Sequence, residues 1–264
     1  MPSVFAAAFE LRGMVVTMSI NGPIVIGGNG HSGTRVFCDI VALGGVFTGI
    51  RHITKRANSS DLRIIDLLNK WVEPYVYNRL SDAQAEQMRR AFSRRFYLYF
   101  PFRSAPWGFK NPRTMLILPL LDQIFRGMKF LHVTRDGRDI AFGNPFVNQN
   151  RYADAYLTDD ERHLGPEERM ILFWGRSNAD AWNYGIKSMG ERYLHVRWED
   201  LCQEPAKLTG RILAFAGCTR GSASEVSRIV QRPNSMGRWK AFPQDVRERV
   251  ISLGRPWLSQ FGYD

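Results

Sequence analysis

The chain has 264 residues, 44% hydrophobic and 23% charged, which suffices for a packed core and excludes disorder, a collagen repeat and a small disulfide scaffold. Lysine and arginine number 36 against 25 acids, a formal charge of +11, which favours an anionic partner: nucleic acid, acidic polysaccharide, membrane surface or phosphorylated small molecule. Cys38, Cys202 and Cys218 lack CxxC spacing and read as reduced thiols, not a metal or disulfide set, and no apolar run has transmembrane length.

Residues 1–21 show no basic n-region of a signal peptide and read as an irregular leader; 22–264 read as one domain, expected to be cytoplasmic. Apolar runs alternate with longer helical patterns, which predicts an α/β fold with a central, mostly parallel sheet flanked by helices. The first predicted strand is Pro23 to Gly27. A helix follows over Gly33 to Leu43, with Val36, Phe37, Ile40 and Val41 on one face and Gly44-Gly45 stopping it. A second helix is expected over Asp61 to Val72, ended by Pro74, and Ser81 with Gln84 reads as a capping box opening a charged helix. Lys129 to Thr134 is the clearest central strand. Residues 143–165 are polar and read as an irregular lid or substrate loop. Pro166 opens a long helix to about Met189, Tyr193 to Trp198 is the next strand, and Pro205 to Ala216 is a helix ended by Gly217. Ser222 with Glu225 caps another helix, and the basic, aromatic stretch Arg232 to Phe242 reads as irregular.

The strongest feature is Gly27-Gly28-Asn29-Gly30-His31-Ser32-Gly33-Thr34-Arg35 between a buried strand and a helix. Glycines there let backbone N–H groups and the helix dipole face an anion. Gly28, Gly30 and Gly33 match a dinucleotide fingerprint, but no acid lies between Asp39 and Asp61; Arg51 would suit a 2′-phosphate, which leaves an NADP oxidoreductase open. The spacing from Gly28 to Gly33 also fits a P-loop kinase, although Thr34 stands where that loop needs lysine. Arg135, at the carboxyl end of a central strand, reads as a second anion site through its bidentate guanidinium. An internal ion pair with Asp136 or Asp139 is the competing reading, and it suits Arg138 and Asp139 better. Arg238, Trp239 and Lys240 offer a further cationic, aromatic contact. A third class, a non-catalytic polyanion binder, would use the basic helix from Arg89 to Arg95.

These residues resemble the PAPS-dependent sulfotransferase family over roughly residues 22–243. His31-Ser32-Gly33-Thr34 resembles its 5′-phosphosulfate loop, Lys110-Asn111-Pro112-Arg113 its lysine segment, Phe130 to Phe142 its 3′-phosphate strand and helix, and Arg197 to Leu201 its Tyr-Glu-Asp-Leu element. Gly237 to Lys240 resembles its C-terminal nucleotide segment. The resemblance implies a P-loop-like turn and sulfuryl transfer from 3′-phosphoadenosine 5′-phosphosulfate (PAPS) to a hydroxyl or amine. The acceptor would be a small molecule, glycan or lipid, with no metal and no nucleic acid. Gly30, His31, Ser32, Gly33, Thr34 and Arg35 would hold the 5′ end. Lys110 would neutralise the leaving oxygen, Arg135 would hold the 3′-phosphate and Trp198 would lie near the adenine. Arg238, Trp239 and Lys240 would complete the nucleotide site.

Three departures stand out. His31 replaces the family's basic residue; neutral it would donate a hydrogen bond, protonated it would act as the cation. Gly143 stands where a phosphate-binding Ser is usual, and Pro112 takes the place of a catalytic His. Counting 21 residues from His31 reaches His52, the position of the general base in another branch, with Asp61 and Glu73 in reserve. His132 and His195 alternate along strands and read as packed core residues.

Overall fold

The computed structural model describes residues 22–48, 62–77, 80–91 in part, 106–143 and 150–263 except 219, together with residues 10, 11, 14 and 15. Strands β1 (Glu10–Leu11) and β2 (Met14–Val15) form a small antiparallel ladder, so the stretch expected to be an irregular leader contains paired backbone. Strands β3 (Ile24–Gly27), β4 (Gly108–Lys110), β5 (Lys129–Thr134) and β6 (Tyr193–Arg197) form a parallel sheet in the order β4-β3-β5-β6. The β-branched and aliphatic content of these runs suits strands buried on both faces. Side chains alternate between two cores. Ile24, Ile26, Leu131, Val133, Leu194 and Val196 face one; Val25, Phe109 and Phe130 face the other.

On the first face lie helices α1 (Thr34–Leu43) and, later in the chain, Pro205–Ala216; α1 buries Phe37, Cys38, Ile40 and Val41 at helical spacing. Helix α2 (Leu62–Val76) runs through Pro74, where an end had been expected. The proline falls in its last turn, where little helix is left to lose, and Tyr77 N–H still bonds the carbonyl of Glu73 at 3.1 Å. After β4 a tight turn over Pro112–Ile117 leads into α3 (Leu118–Ile124). Next come α4 (Gly137–Ala141), α5 (Pro166–Tyr184), α6 (Trp198–Gln203), α7 (Pro205–Ala216) and α8 (Gln244–Gln260). Gly217 ends α7 in the left-handed conformation, φ 69°. The capping boxes at Ser81–Gln84 and Ser222–Glu225 form as read, with reciprocal backbone bonds of 3.0 to 3.3 Å.

Helix α8 has no counterpart among the predicted elements. It packs against α5, where Gly175 lets the Trp257 ring lie directly on the α5 backbone. The chain then turns under the sheet and buries Phe261 and Tyr263 around Trp174.

Residues 150–163, expected to be an irregular loop, are a string of short helical turns. Arg176 of α5 pins them, bonding the Tyr156 carbonyl at 2.5 Å and both carboxylate oxygens of Glu161 at 2.6 Å. A paired carboxylate is favoured in its charged form, and this one is held down to about 2, chiefly by Arg176. Among the described residues no helix is long and apolar enough to cross a membrane.

Candidate nucleotide site

The glycine-rich turn leaves β3 at Gly27 and enters α1 at Thr34. Its glycines are close-approach positions: a Cβ on Gly28 would sit 2.2 Å from the Val133 carbonyl oxygen, and one on Gly27 would sit 2.4 Å from Thr114 Oγ1. Gly28 N–H donates to the Pro112 carbonyl at 3.2 Å, and Asn111 N–H to that of Ile26 at 3.1 Å. These bonds tie the turn to the segment carrying Lys110. Within the turn, Ser32 N–H donates to the Asn29 carbonyl at 3.2 Å. His31 and Gly33 adopt left-handed conformations, φ 68° and 78°, and His31 is the only non-glycine residue with positive φ among those described. Such a conformation costs a histidine about 1 kcal/mol and concentrates at functional sites.

This geometry leaves two kinds of group without a protein partner among the described residues. The N–H groups of Gly33 and Thr34, at the start of α1, meet no acceptor among the described residues. The Ser32 hydroxyl is fully buried and has no hydrogen-bond partner among the described residues. A buried hydroxyl without a partner calls for an explanation, and a phosphate or sulfuryl oxygen supplies one. The residues therefore fit the 5′ end of an anionic nucleotide.

Lys110 ends β4 beside the turn, in register with Ile26, and is 4% exposed. Burial pulls its pKa down to about 8; Cys38 and Asp39 oppose that shift and Arg35 adds to it. His31 is also pushed down, by partial burial and then by Arg238 and Arg135. This favours the neutral imidazole over the protonated cation as the group that faces a ligand.

Arg135 differs from expectation. It is 4% exposed, and its Nη2 bonds Asp139 Oδ2 at 3.1 Å and the Ser235 carbonyl at 2.7 Å. Its Nη1 reaches the His31 carbonyl at 3.3 Å, and its own carbonyl accepts the Trp174 indole N–H at 3.1 Å. The internal ion pair thus forms on Arg135 itself, while Arg138 pairs with Asp136 at 2.9 Å. The physical reason is Asp139, one helical turn on, which also accepts the N–H of Gly237 at 2.8 Å. Arg135 joins the turn to the segment around Ser235 from beneath. The half-buried cation of that segment is Arg238, whose pKa is lowered by burial and by the nearby Arg135.

Trp198, expected near the adenine, is a packed residue beneath the turn. It is 3% exposed, lies edge-on to Phe37, and fills the space under Gly33, where a Cβ would come 2.8 Å from its ring. Trp239 carries the Arg138 guanidinium 4.4 Å above its ring, and Lys240 is exposed. The stretch Arg232 to Phe242, read as irregular, holds one helical turn over Arg238–Ala241. Gly143 leaves room that Arg238 approaches, its Nη1 3.7 Å from where a Cβ would stand.

Glu73 lies in the last turn of α2, whereas His52 and Asp61 fall outside the described residues. Among the described residues no cluster of metal-ligating side chains comes together. A separate cavity of about 730 Å³ lies along Met115, Leu120, Tyr156 and Asp180 and shares no lining residue with the turn, Lys110 or Arg135. Ser235 was not singled out from the sequence, since its part depends on Arg135, a hundred residues away; the sequence offered Asp139 as an ion-pair partner but not its bond to the Gly237 amide.

The Sulfotransferase family model matches residues 23–220, three quarters of the chain. No curated protein is a significant match. Among solved structures, a sulfotransferase from Mycobacterium avium is similar with a TM-score of 0.58 at 11% identity, covering 94% of this chain and 78% of that one. The sulfotransferase domain of the Synechococcus PCC 7002 olefin synthase is similar at 0.55 and 17%, covering 93% and 96%. A sulfotransferase from Alicyclobacillus acidocaldarius follows at 0.52 and 16%, covering 94% and 97%.

Proposed function

The chain belongs to the sulfotransferase family, and from that premise we propose that it moves a sulfuryl group from PAPS to a hydroxyl or amine of a small molecule, glycan or lipid, releasing 3′-phosphoadenosine 5′-phosphate (PAP). The observation that carries this reading is the Ser32 hydroxyl, buried and unpartnered beside the open amides of Gly33 and Thr34. Gly30 and Arg35 flank that cradle. In the transfer the acceptor oxygen or nitrogen bonds to sulfur as the bond from sulfur to the 5′-phosphate oxygen breaks. The electron pair stays on that phosphate oxygen and the acceptor proton passes to a base.

Each residue has a defined part. Ser32, Gly33 and Thr34 hold the 5′ end, and Lys110 in its charged form stabilises the oxygen that accumulates charge. Neutral His31 donates a hydrogen bond. Arg238 takes the 3′-phosphate, with Arg135 adding its field from the buried side and Trp239 and Lys240 completing that edge. The base is proposed to be His52, with Asp61 and Glu73 in reserve. Trp198 supports the turn from below instead of touching adenine.

Thermal shift tests the reading with PAP, NADPH and ATP–magnesium in parallel. PAP alone should raise Tm, by the equivalent of about 2.7 kcal/mol at a hundred times its Kd. Arg238→Ala should cut that response, and sulfate transfer to an acceptor panel should stop in Lys110→Gln. A shift with NADPH or ATP–magnesium in place of PAP, or salt-sensitive heparin binding with no nucleotide response, would overturn it.

A further inference from the structure

Behind the glycine-rich turn runs a buried chain of polar side chains. The Tyr193 hydroxyl meets His132 Nδ1 at 2.5 Å, and His132 Nε2 meets Asn178 Oδ1 at 2.9 Å. Asn178 Nδ2 donates to Asn29 Oδ1 at 2.6 Å and to the Trp174 carbonyl at 2.8 Å. Asn29 Nδ2 donates to Ser177 Oγ at 3.2 Å, which donates in turn to the Phe173 carbonyl at 2.6 Å. His132 and Asn178 are fully buried, Ser177 is 1% and Asn29 3% exposed.

Donor counting gives the chain one direction. Both N–H groups of Asn178 are used, so its oxygen must accept, and His132 must donate through Nε2. Nδ1 is then a bare acceptor, which the tyrosine O–H fills. Burial, with His195 adding, holds His132 down to about 3, so the ring stays neutral and this tautomer persists at ordinary pH. Reversing any amide would set donor against donor in a site without water contact, at the cost of a buried unpaired group. The chain ends on Asn29, whose carbonyl takes the Ser32 N–H and so sets the bend from which His31 and Gly33 reach positive φ.

We propose that Asn178 is a positioning residue for the nucleotide: anchored by His132 and Tyr193, it holds Asn29 and through it the ligand-ready shape of the turn. The proposal rests on the nucleotide reading above, but its first readout does not. In the free protein, amide exchange at Ser32 should speed up at least tenfold in Asn178→Ala and in Asn178→Asp, which keeps the size and the acceptor but loses the donor to Asn29. PAP Kd and the KM for PAPS should rise about tenfold in both variants, with kcat within twofold. Wild-type imidazole nitrogen spectra should show His132 protonated at Nε2 and bare at Nδ1.

A purely structural role would lower Tm and the active fraction while leaving Kd and the Ser32 amide as they were; that result overturns the proposal. So does a His132 ring protonated at Nδ1, a readout that remains even if both variants fail to fold. If wild-type protein fails to bind PAP, the nucleotide reading falls, and Ser32 exchange still decides whether Asn178 shapes the turn.

Discussion

Lys110 offers the sharpest test of how the site handles charge. Its pKa of about 8, against the ordinary 10.5, corresponds to roughly 3 kcal/mol of lost preference for the ammonium form, with burial as the main cause. The anionic 5′ end of a nucleotide beside it would restore that preference. Binding therefore requires the protonated form and takes up a proton wherever the free protein has lost it. About nine-tenths of Lys110 is protonated at pH 7 and only a few per cent at pH 9.5, so PAP Kd should weaken roughly thirtyfold over that interval. Calorimetry in buffers of different ionisation enthalpy should record an uptake of about one-tenth of a proton at the lower pH and nearly one at the higher. Lys110→Arg keeps its charge throughout and should bind tightly with no slope. Lys110→Gln should bind weakly, also with no slope. A wild-type Kd constant within about threefold, or the same slope in Lys110→Gln, would refute the assignment of Lys110 to the anion site.

Three further outcomes follow from the packing. Gly33→Ala forces a Cβ to φ 78° and to 2.8 Å from the Trp198 ring, so Tm should fall and PAP binding should be lost together; an unchanged Tm would mean the turn relaxes freely. Arg176→Ala should destabilise the protein to urea at neutral pH, the gap to wild type closing as pH falls from about 4.5 through 2, because Glu161 has a depressed pKa and its contribution is lost on protonation; a gap independent of pH would remove the ion pair as its cause. Tyr263→Ala empties a space between Trp174 and the Arg197 guanidinium and leaves Glu199 without the hydroxyl that donates to it at 2.9 Å, so chemical denaturation should show a loss of about 3 to 5 kcal/mol; a loss under 1 kcal/mol would show that the chain end is not part of the core.

What was legible in the sequence was whatever depends on neighbours along the chain. The strand runs at 24–27 and 129–134, the helix opened by Pro166 and the glycine stop at Gly217 follow from apolar spacing and turn chemistry, and they stand as read. Helix α8 escaped because Gly254 and Pro256 interrupt its apolar stripe, and only its packing against α5 shows why a glycine belongs there. Arg135 and Trp198 were placed by their order in a motif, which cannot show that Asp139 and Ser235 engage one or that Phe37 and Gly33 enclose the other. The base assignments to His52 and Asp61 lie outside the described residues.

Asp139 ties Arg135 to the amide of Gly237, across 98 positions of chain. A ribosome makes the glycine-rich turn, Lys110 and Arg135 long before it makes that cover. A nascent chain halted near residue 220 would hold the turn and both cations with the arginine uncovered and its carboxylate partner half satisfied. The contacts that cover Arg135 are thus completed only once the chain has been made through Gly237.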